Sequence, residues 1–475
     1  MRSFPPFRIG FTIVLLALVL SGTFCASSLR ADDGAVQPGA VARKSPDWLR
    51  TGTIYEIFPR DFSTAGNLNG VTARLDDLQK LGVTVLWIMP IHPIGVKARK
   101  GEYGSPYSIR DYYAIDPNYG TLDDFKKLVD GAHEHGMKVI MDLVANHTAW
   151  DSVLMAHKDF YKQDSSGKVI PPVPDWTDVA GLNYQNQELR TYMTTMLKYW
   201  IQQADVDGFR CDVAYMVPTD FWEQVRAALT QVKPDIMMLA EASKPELLTN
   251  AFDIDYSWPL LATMNNVLEH GAPASDIRKT WQDNVALFPK DALHMRISDD
   301  HDESRAVVRY GANGALAASA LMFTLDGVPL LYNGMEVGDA TESGDPALFE
   351  KLNIFWHPKD RPPLARIYHD LIRLRKDYPA FSSGRLVWLP NSSESKVISF
   401  MRQDEKDEFV ITINFSNESV NGSLQMANGS DFKPVNISGM SGFPAESLPR
   451  FHLDGFGWHI YHRTVTEILT QKQSP

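Results

Sequence analysis

The chain has 475 residues, 44% of them hydrophobic, enough for a substantial core with one or two accessory domains. A formal charge of -12 argues against a nucleic-acid partner, whose phosphates it would repel, and suits a neutral polar substrate.

Residues 1–31 carry the pattern of a secretory signal: Arg2 and Arg8, an apolar run over 11–20, then small residues. That run is too short to span a bilayer as a mature helix, so no stable membrane anchor is expected and the destination reads as secreted or periplasmic. Cys25 offers a lipoprotein alternative, disfavoured by the bulky Phe24 before it. Cleavage near Ala26 or Ala31 leaves Cys211 as the only cysteine, so the fold cannot use internal disulfides.

A polar linker over 32–47 leads into short β-rich runs alternating with helical patterns. The runs at 53–58, 83–89, 137–144, 206–212, 236–241, 252–256, 294–298 and 328–332 predict eight strands, the sixth being the weakest. Amphipathic stretches at 122–135, 188–203 and 220–232 predict helices between them, with Gly82 and Gly136 as helix stops. Strands alternating with helices imply a parallel sheet covered on both faces. A (β/α)₈ TIM barrel over 48–380 is the economical closure, with reactive residues at the strands' C-terminal ends. A doubly wound open sheet is the rival, but no G-x-G-x-x-G turn follows an early strand. The stretch 148–186, rich in Pro, Asp and Trp, is too long for an ordinary loop and predicts a small subdomain inserted after strand three. From 381 to 463 the runs 385–389, 396–402, 408–415 and 457–462 alternate as antiparallel strands, a separate C-terminal β domain, before a tail at 464–475.

The segment 205–212, Asp-Val-Asp-Gly-Phe-Arg-Cys-Asp, places Arg210 and Asp212 on one face of a strand and Cys211 on the other. A neighbouring arginine keeps a carboxylate ionised and oriented. Taken alone, Asp212 is a nucleophile, a metal ligand or half of a structural ion pair. Other strand ends add Asp142, Asn146 and His147, then Glu241, then Asp299, Asp300, His301 and Asp302. An ion-pair ring explains one or two such carboxylates, hardly all of them with two histidines.

These segments, in this order and spacing, resemble the shared regions of the α-amylase superfamily of retaining glycoside hydrolases. The similarity runs from Gly52 to about Tyr378 and into the β domain, taking in 104–119, 176–184 and 323–337. The resemblance implies that Asp212 is the nucleophile, Glu241 the general acid and base, and Asp302 a stabiliser of the oxocarbenium-like transition state. It implies that Arg210 holds Asp212 ionised, that His147 and His301 donate to the sugar, that Tyr107 stacks on it and that Asp142 organises the floor. Glu241 follows an apolar run with no adjacent cation, and crowding by Asp212 and Asp302 is expected to raise its pKa.

Four positions depart from the family pattern. Asp300 stands where asparagine is usual, and its added charge is expected to raise Glu241 further. Tyr215 and Met216 replace a lysine-histidine pair found in many endo-acting amylases, and Met335 replaces a common glutamine. Asn146 matches a residue that often binds structural calcium, with Asp151, Asp175 and Asp178 as helpers; calcium is not needed for the chemistry. The loop 63–70 has no aspartate for a second calcium. Trp87 and Trp200 read as core, Trp150 and Trp176 as sugar platforms. His92, His133, His135 and His157 show no metal spacing.

The resulting expectation is an exported glycosidase acting on α-1,4-linked glucans or malto-oligosaccharides. A transglycosylase or isomerase of the same family is the first alternative, and an inactive sugar-binding relative the second.

Overall fold

The structure, a computed structural model, describes residues 39–357, 364–437, 442 and 444–465. The expected signal segment, the start of the expected linker and most of the expected tail lie outside the described residues.

Eight parallel strands close into a barrel: β1 (Ile54–Ile57), β2 (Val85–Ile88), β3 (Lys138–Leu143), β4 (Gly208–Cys211), β5 (Met237–Ala240), β6 (Ile254–Tyr256), β7 (His294–Arg296) and β8 (Val328–Tyr332). Their spatial order follows the chain around the ring, and β8 closes on β1 with Ile54 opposite Leu330. Every predicted strand formed, including the weak sixth. Nearly all strand residues are buried, because helices cover the outside and side chains fill the inside.

The covering helices are α1 (Leu122–Glu134), α2 (Gln187–Ala204), α3 (Thr219–Thr230), α4 (Trp258–His270), α5 (Ser275–Leu287), α6 (Ala306–Thr324) and α7 (Ala365–Asp377). Sequence-local chemistry starts and stops them. Thr121 accepts the amide of Asp124 while the Asp124 carboxylate accepts the amide of Thr121, a capping box at the head of α1. Gly82, at φ 97°, ends the helix Leu75–Leu81 in the left-handed conformation.

The stretch expected as a free linker is docked from residue 40 onward. Ala42 donates to Lys290 O at 2.8 Å, Lys290 to Ala40 O at 2.9 Å, and Arg43 pairs with Asp253 at 2.9 Å. Backbone pairing fixes these residues to the barrel, which polarity alone did not reveal.

The insertion after β3 is a small subdomain held by an antiparallel pair, His147–Ala149 with Val179–Gly181. Beyond the barrel, β9 (Arg385–Trp388), β10 (Val397–Gln403), β11 (Asp407–Asn414) and β12 (Trp458–Thr464) join Lys433–Pro434 in one five-stranded antiparallel sheet. A two-stranded sheet, Val420–Ser423 with Arg450–Leu453, completes this C-terminal domain. Arg375 of α7 donates to the carbonyls of Phe323, Leu325, Gly327 and Phe381, and Arg402 of β10 to those of Thr324, Phe381 and Gly384. Two buried guanidiniums thus clasp the end of α6 and the start of the second domain.

Among the described residues, no helix is long and apolar enough to cross a membrane.

Candidate active site

Arg210 is the centre of the barrel mouth. It is fully buried, and its Nη1 donates to Asp142 Oδ1 at 3.0 Å and to Asp212 Oδ1 at 3.1 Å. Its Nε donates to the Tyr256 hydroxyl at 3.2 Å. Its Nη2 lies 2.8 Å from Glu241 Oε2, a close ionic contact whose angle falls short of a hydrogen bond. The expectation that Glu241 has no adjacent cation is therefore corrected. Glu241 is distant from Arg210 in sequence, yet it ends β5 and so emerges beside β4.

The two carboxyls share one environment. Burial raises the pKa of Asp212 well above the usual range, and the Glu241 charge raises it further, with Arg210 opposing. Burial also raises Glu241, where Arg210 lowers it and Asp302 raises it. Arg210 opposes the rise at Asp212, as expected of a neighbouring cation, but the guanidinium is divided among three carboxyls and burial is the larger influence there. Glu241 Oε2 also accepts the Val213 amide at 2.7 Å. Val213 holds φ at 36°, a strained conformation for a β-branched residue, which turns that amide toward the carboxylate.

The histidines differ in charge. His147 lies 4.0 Å from Asp212 Oδ2 and burial drops its pKa to about 4, so it is a neutral ring. His301 is pushed up to about 10 despite burial, because Asp302 and Glu56 face it. Glu56 bonds His301 Nδ1, the Tyr107 hydroxyl lies 2.7 Å from its Nε2, and Asp302 Oδ1 lies 3.3 Å from the same nitrogen. Tyr107 also stacks on the His301 ring and donates to Asp142 Oδ2 at 3.1 Å. A charged His301 thus donates from Nε2 to the Tyr107 hydroxyl, which donates on to Asp142, so donation to a sugar requires that Nε2–H to turn from the Tyr107 oxygen or be shared with it.

Glu56 was missed in the sequence reading. Its signal was a lone acid inside the apolar strand Ile-Tyr-Glu-Ile, and such an acid needs a buried partner. Trp87 is core, as expected, but its Nε1 donates to Asp142 Oδ2 at 3.1 Å and its ring meets His301 edge-on.

Asp212, Glu241 and Asp302 border one cavity of about 380 Å³ with Tyr107, His147 and His301. Arg210 and Asp142 lie beneath it. Trp176 lines this cavity, in line with a platform, whereas Trp150 points its Nε1 at Thr177 O and lies outside the lining. Lys100 and Phe349, not singled out from sequence, form part of the wall, and Lys100 pairs with Asp178 at 3.0 Å.

Asn146 is buried, with Nδ2 at 3.3 Å from His147 Nδ1. Of its expected helpers, Asp151 accepts the Val96 amide and pairs with Arg110, Asp178 pairs with Lys100, and Asp175 lines the catalytic cavity. Among the described residues no group of three His, Cys, Asp or Glu side chains could hold a metal. His133 and His135 pair with Asp207 and Asp76, while His92 bonds Ala114 O. Met335 has a local account: its sulfur lies 3.2 Å from the Tyr332 amide and accepts it.

The family model described as alpha amylase, catalytic domain, matches residues 51–171 and 173–347, and that of the maltogenic amylase C-terminal domain matches 388–460. The alpha-amylase MalA of Haloarcula japonica is 29% identical over 446 residues, spanning 86% of this chain and 64% of that protein. Two solved structures are similar throughout. An alpha-amylase from Lactobacillus plantarum superposes with a TM-score of 0.76 at 30% identity, covering 87% of this chain and 99% of the other. A maltogenic alpha-amylase, AmyB, from Thermotoga neapolitana gives 0.77 at 31% identity, with 88% and 97% covered.

Proposed function

The chain belongs to the alpha-amylase family of glycoside hydrolases, and on that premise we propose that it cleaves α-1,4-glucosidic bonds of starch, maltodextrin or malto-oligosaccharides with retention of configuration. The observation that carries this reading is the meeting of Asp212, Glu241 and Asp302 in one cavity above a single buried arginine.

In the proposed first step, an Asp212 oxygen attacks the anomeric carbon as the bond to the leaving oxygen breaks, giving a covalent β-glycosyl-enzyme. Glu241 transfers its proton to that leaving oxygen. In the second step Glu241 takes a proton from water, the water oxygen bonds to the anomeric carbon and the Asp212 carboxylate departs. One carboxyl must start protonated and its neighbour ionised. Burial favours one shared proton on the pair, and Arg210 between them stabilises the charge that remains. Asp302, with the charged His301 behind it, faces the developing oxocarbenium.

The leader over 1–31 supports export, with a secreted or periplasmic mature enzyme. Fractionation of the producing cells tests this: activity confined to the cytosol overturns it.

The test of function is a product time-course with maltoheptaose, read by NMR of the anomeric protons, beside Asp212→Asn and Glu241→Gln. Shorter α-anomers should appear first, and each variant should lose at least about 10³-fold in kcat. Longer products move the chain to transglycosylation, and initial β-anomers sink the double displacement.

A further inference from the structure

The loops around the catalytic mouth differ in length, and the long ones are stitched to one another. Residues 89–121 run between β2 and α1, the inserted subdomain follows β3, and the segment after β8 carries Leu348 and Phe349. On the opposite side the connections are short: β6 passes into α4 through Ser257 alone, and β4 into α3 through residues 212–218.

On the long side, the Tyr103 amide donates to Phe349 O at 3.0 Å. The buried Arg60 donates from Nη1 to Leu348 O at 2.9 Å and from Nη2 to Gly104 O at 3.2 Å, so one planar group holds both segments. Gly101 approaches Phe349 so closely that a Cβ on it would stand 2.4 Å from the Phe349 Cβ. Lys100 then reaches Asp178 of the subdomain at 3.0 Å. Backbone bonds and a buried guanidinium hold their geometry far better than an exposed side chain does. The partly exposed Lys100–Asp178 pair is the member that opens at least cost. The result is a standing wall from β8 through β2 to the subdomain.

The proposed roles fix where this wall stands relative to the reacting bond. The leaving oxygen lies beside Glu241 at the end of β5, so the departing part of the chain runs out over the short connections. C1 and C4 occupy opposite positions of a pyranose ring. The chain toward the non-reducing end therefore leaves the attacked sugar on the side away from Glu241. There Lys100, Leu348 and Phe349 line the same cavity as Asp212. Cutting inside a long chain needs a groove open at both ends, and the wall stands across one of them.

We propose that this wall closes the cleft toward the non-reducing end, so that the enzyme works from that end of an α-glucan and releases glucose or maltose. The proposal rests on the reading of Asp212 as nucleophile and Glu241 as acid.

The test gives the native enzyme two maltoheptaoses, both with a fluorescent label at the reducing end, one also capped by an ethylidene bridge across O4 and O6 of its non-reducing sugar. Labelled maltohexaose or maltopentaose should be the first labelled product of the open chain. The capped chain should be cut at least about 100-fold more slowly, because the cap meets a closed wall. Lys100→Ala combined with Phe349→Ala thins the wall and should narrow that gap at least about tenfold. Labelled fragments of every length from the outset, or equal cutting of the two chains, overturn the closed end while the glucanase reading stands. A gap that the double variant leaves untouched overturns the wall as its cause. Cutting of neither chain removes the glucanase reading and the closed end with it.

Discussion

Glu56 and Asp300 show how burial decides what a charge does. Glu56 and Asp302 keep His301 protonated up to about 10, so the imidazolium is present throughout the neutral range. Glu56→Gln removes one of those anions, and the His301 pKa should fall by about 1–3 units. Histidine NMR titration reads this directly, and an alkaline limb of kcat/KM should move down with it; an unmoved His301 resonance would refute the coupling. Asp300 behaves differently from the expectation that it adds charge beside Glu241. Burial, then Asp302, push its carboxyl well above the ordinary 3.8. Its Oδ1 accepts the amides of Asp302 and Glu303, both at 3.1 Å, as an asparagine oxygen would. Burial disfavours charge on Asp300 and its Oδ1 already makes the bonds an asparagine oxygen would, so Asp300→Asn should leave the pH-rate profile in place near neutrality. Stability carries the sign instead. A carboxyl raised by folding contributes stability in full below about 3.8, and that contribution is lost as pH rises through the folded value. Asp300→Asn should therefore flatten the fall of Tm between mildly acid and alkaline buffers, and an unchanged slope would count against the raised carboxyl.

At the level of elements, the barrel strands set where side chains stand, and the loops set what surrounds the cleft. Lys100, in the loop after β2, meets Asp178 of the inserted subdomain across the cavity wall. Lys100 is two-fifths exposed, so this bridge adds well under about 1 kcal/mol to stability. Lys100→Ala should leave Tm almost unchanged and raise KM for malto-oligosaccharides a few-fold, because it loosens a wall that the substrate touches. A large drop in Tm with unchanged KM would make the bridge purely structural. Two of the acids expected to help Asn146 hold a cation, Asp151 and Asp178, are engaged by Val96, Arg110 and Lys100. Incubation with a chelator should leave both activity and Tm as they were; loss of either on chelation, restored by calcium, would contradict this.

Across the whole molecule, the catalytic barrel and the C-terminal domain are joined by charged groups inside the protein. Arg375 and Arg402 are fully buried and satisfy carbonyls at the end of α6 and around Phe381. Arg402→Met keeps the aliphatic volume but strands those carbonyls, at a cost of roughly 2–4 kcal/mol. Chemical denaturation should show that loss, and a change within about 0.5 kcal/mol would show the clasp to be dispensable. By itself the sequence determined the eight strands, the insertion, the all-β C-terminal region and the residues at the cleft. The elements follow from hydrophobic period and turn residues, which are local in the chain, the acids stood out by recurring at strand ends, and Tyr107 and the roles came from the resemblance to the α-amylase superfamily. Only the tertiary structure decided that Arg210 serves three carboxyls, that Glu56 faces His301, that burial raises the Asp300 carboxyl and that residues 40–45 pack on the barrel. Each depends on which groups from distant segments share one desolvated volume, and barrel closure, not local spacing, sets that.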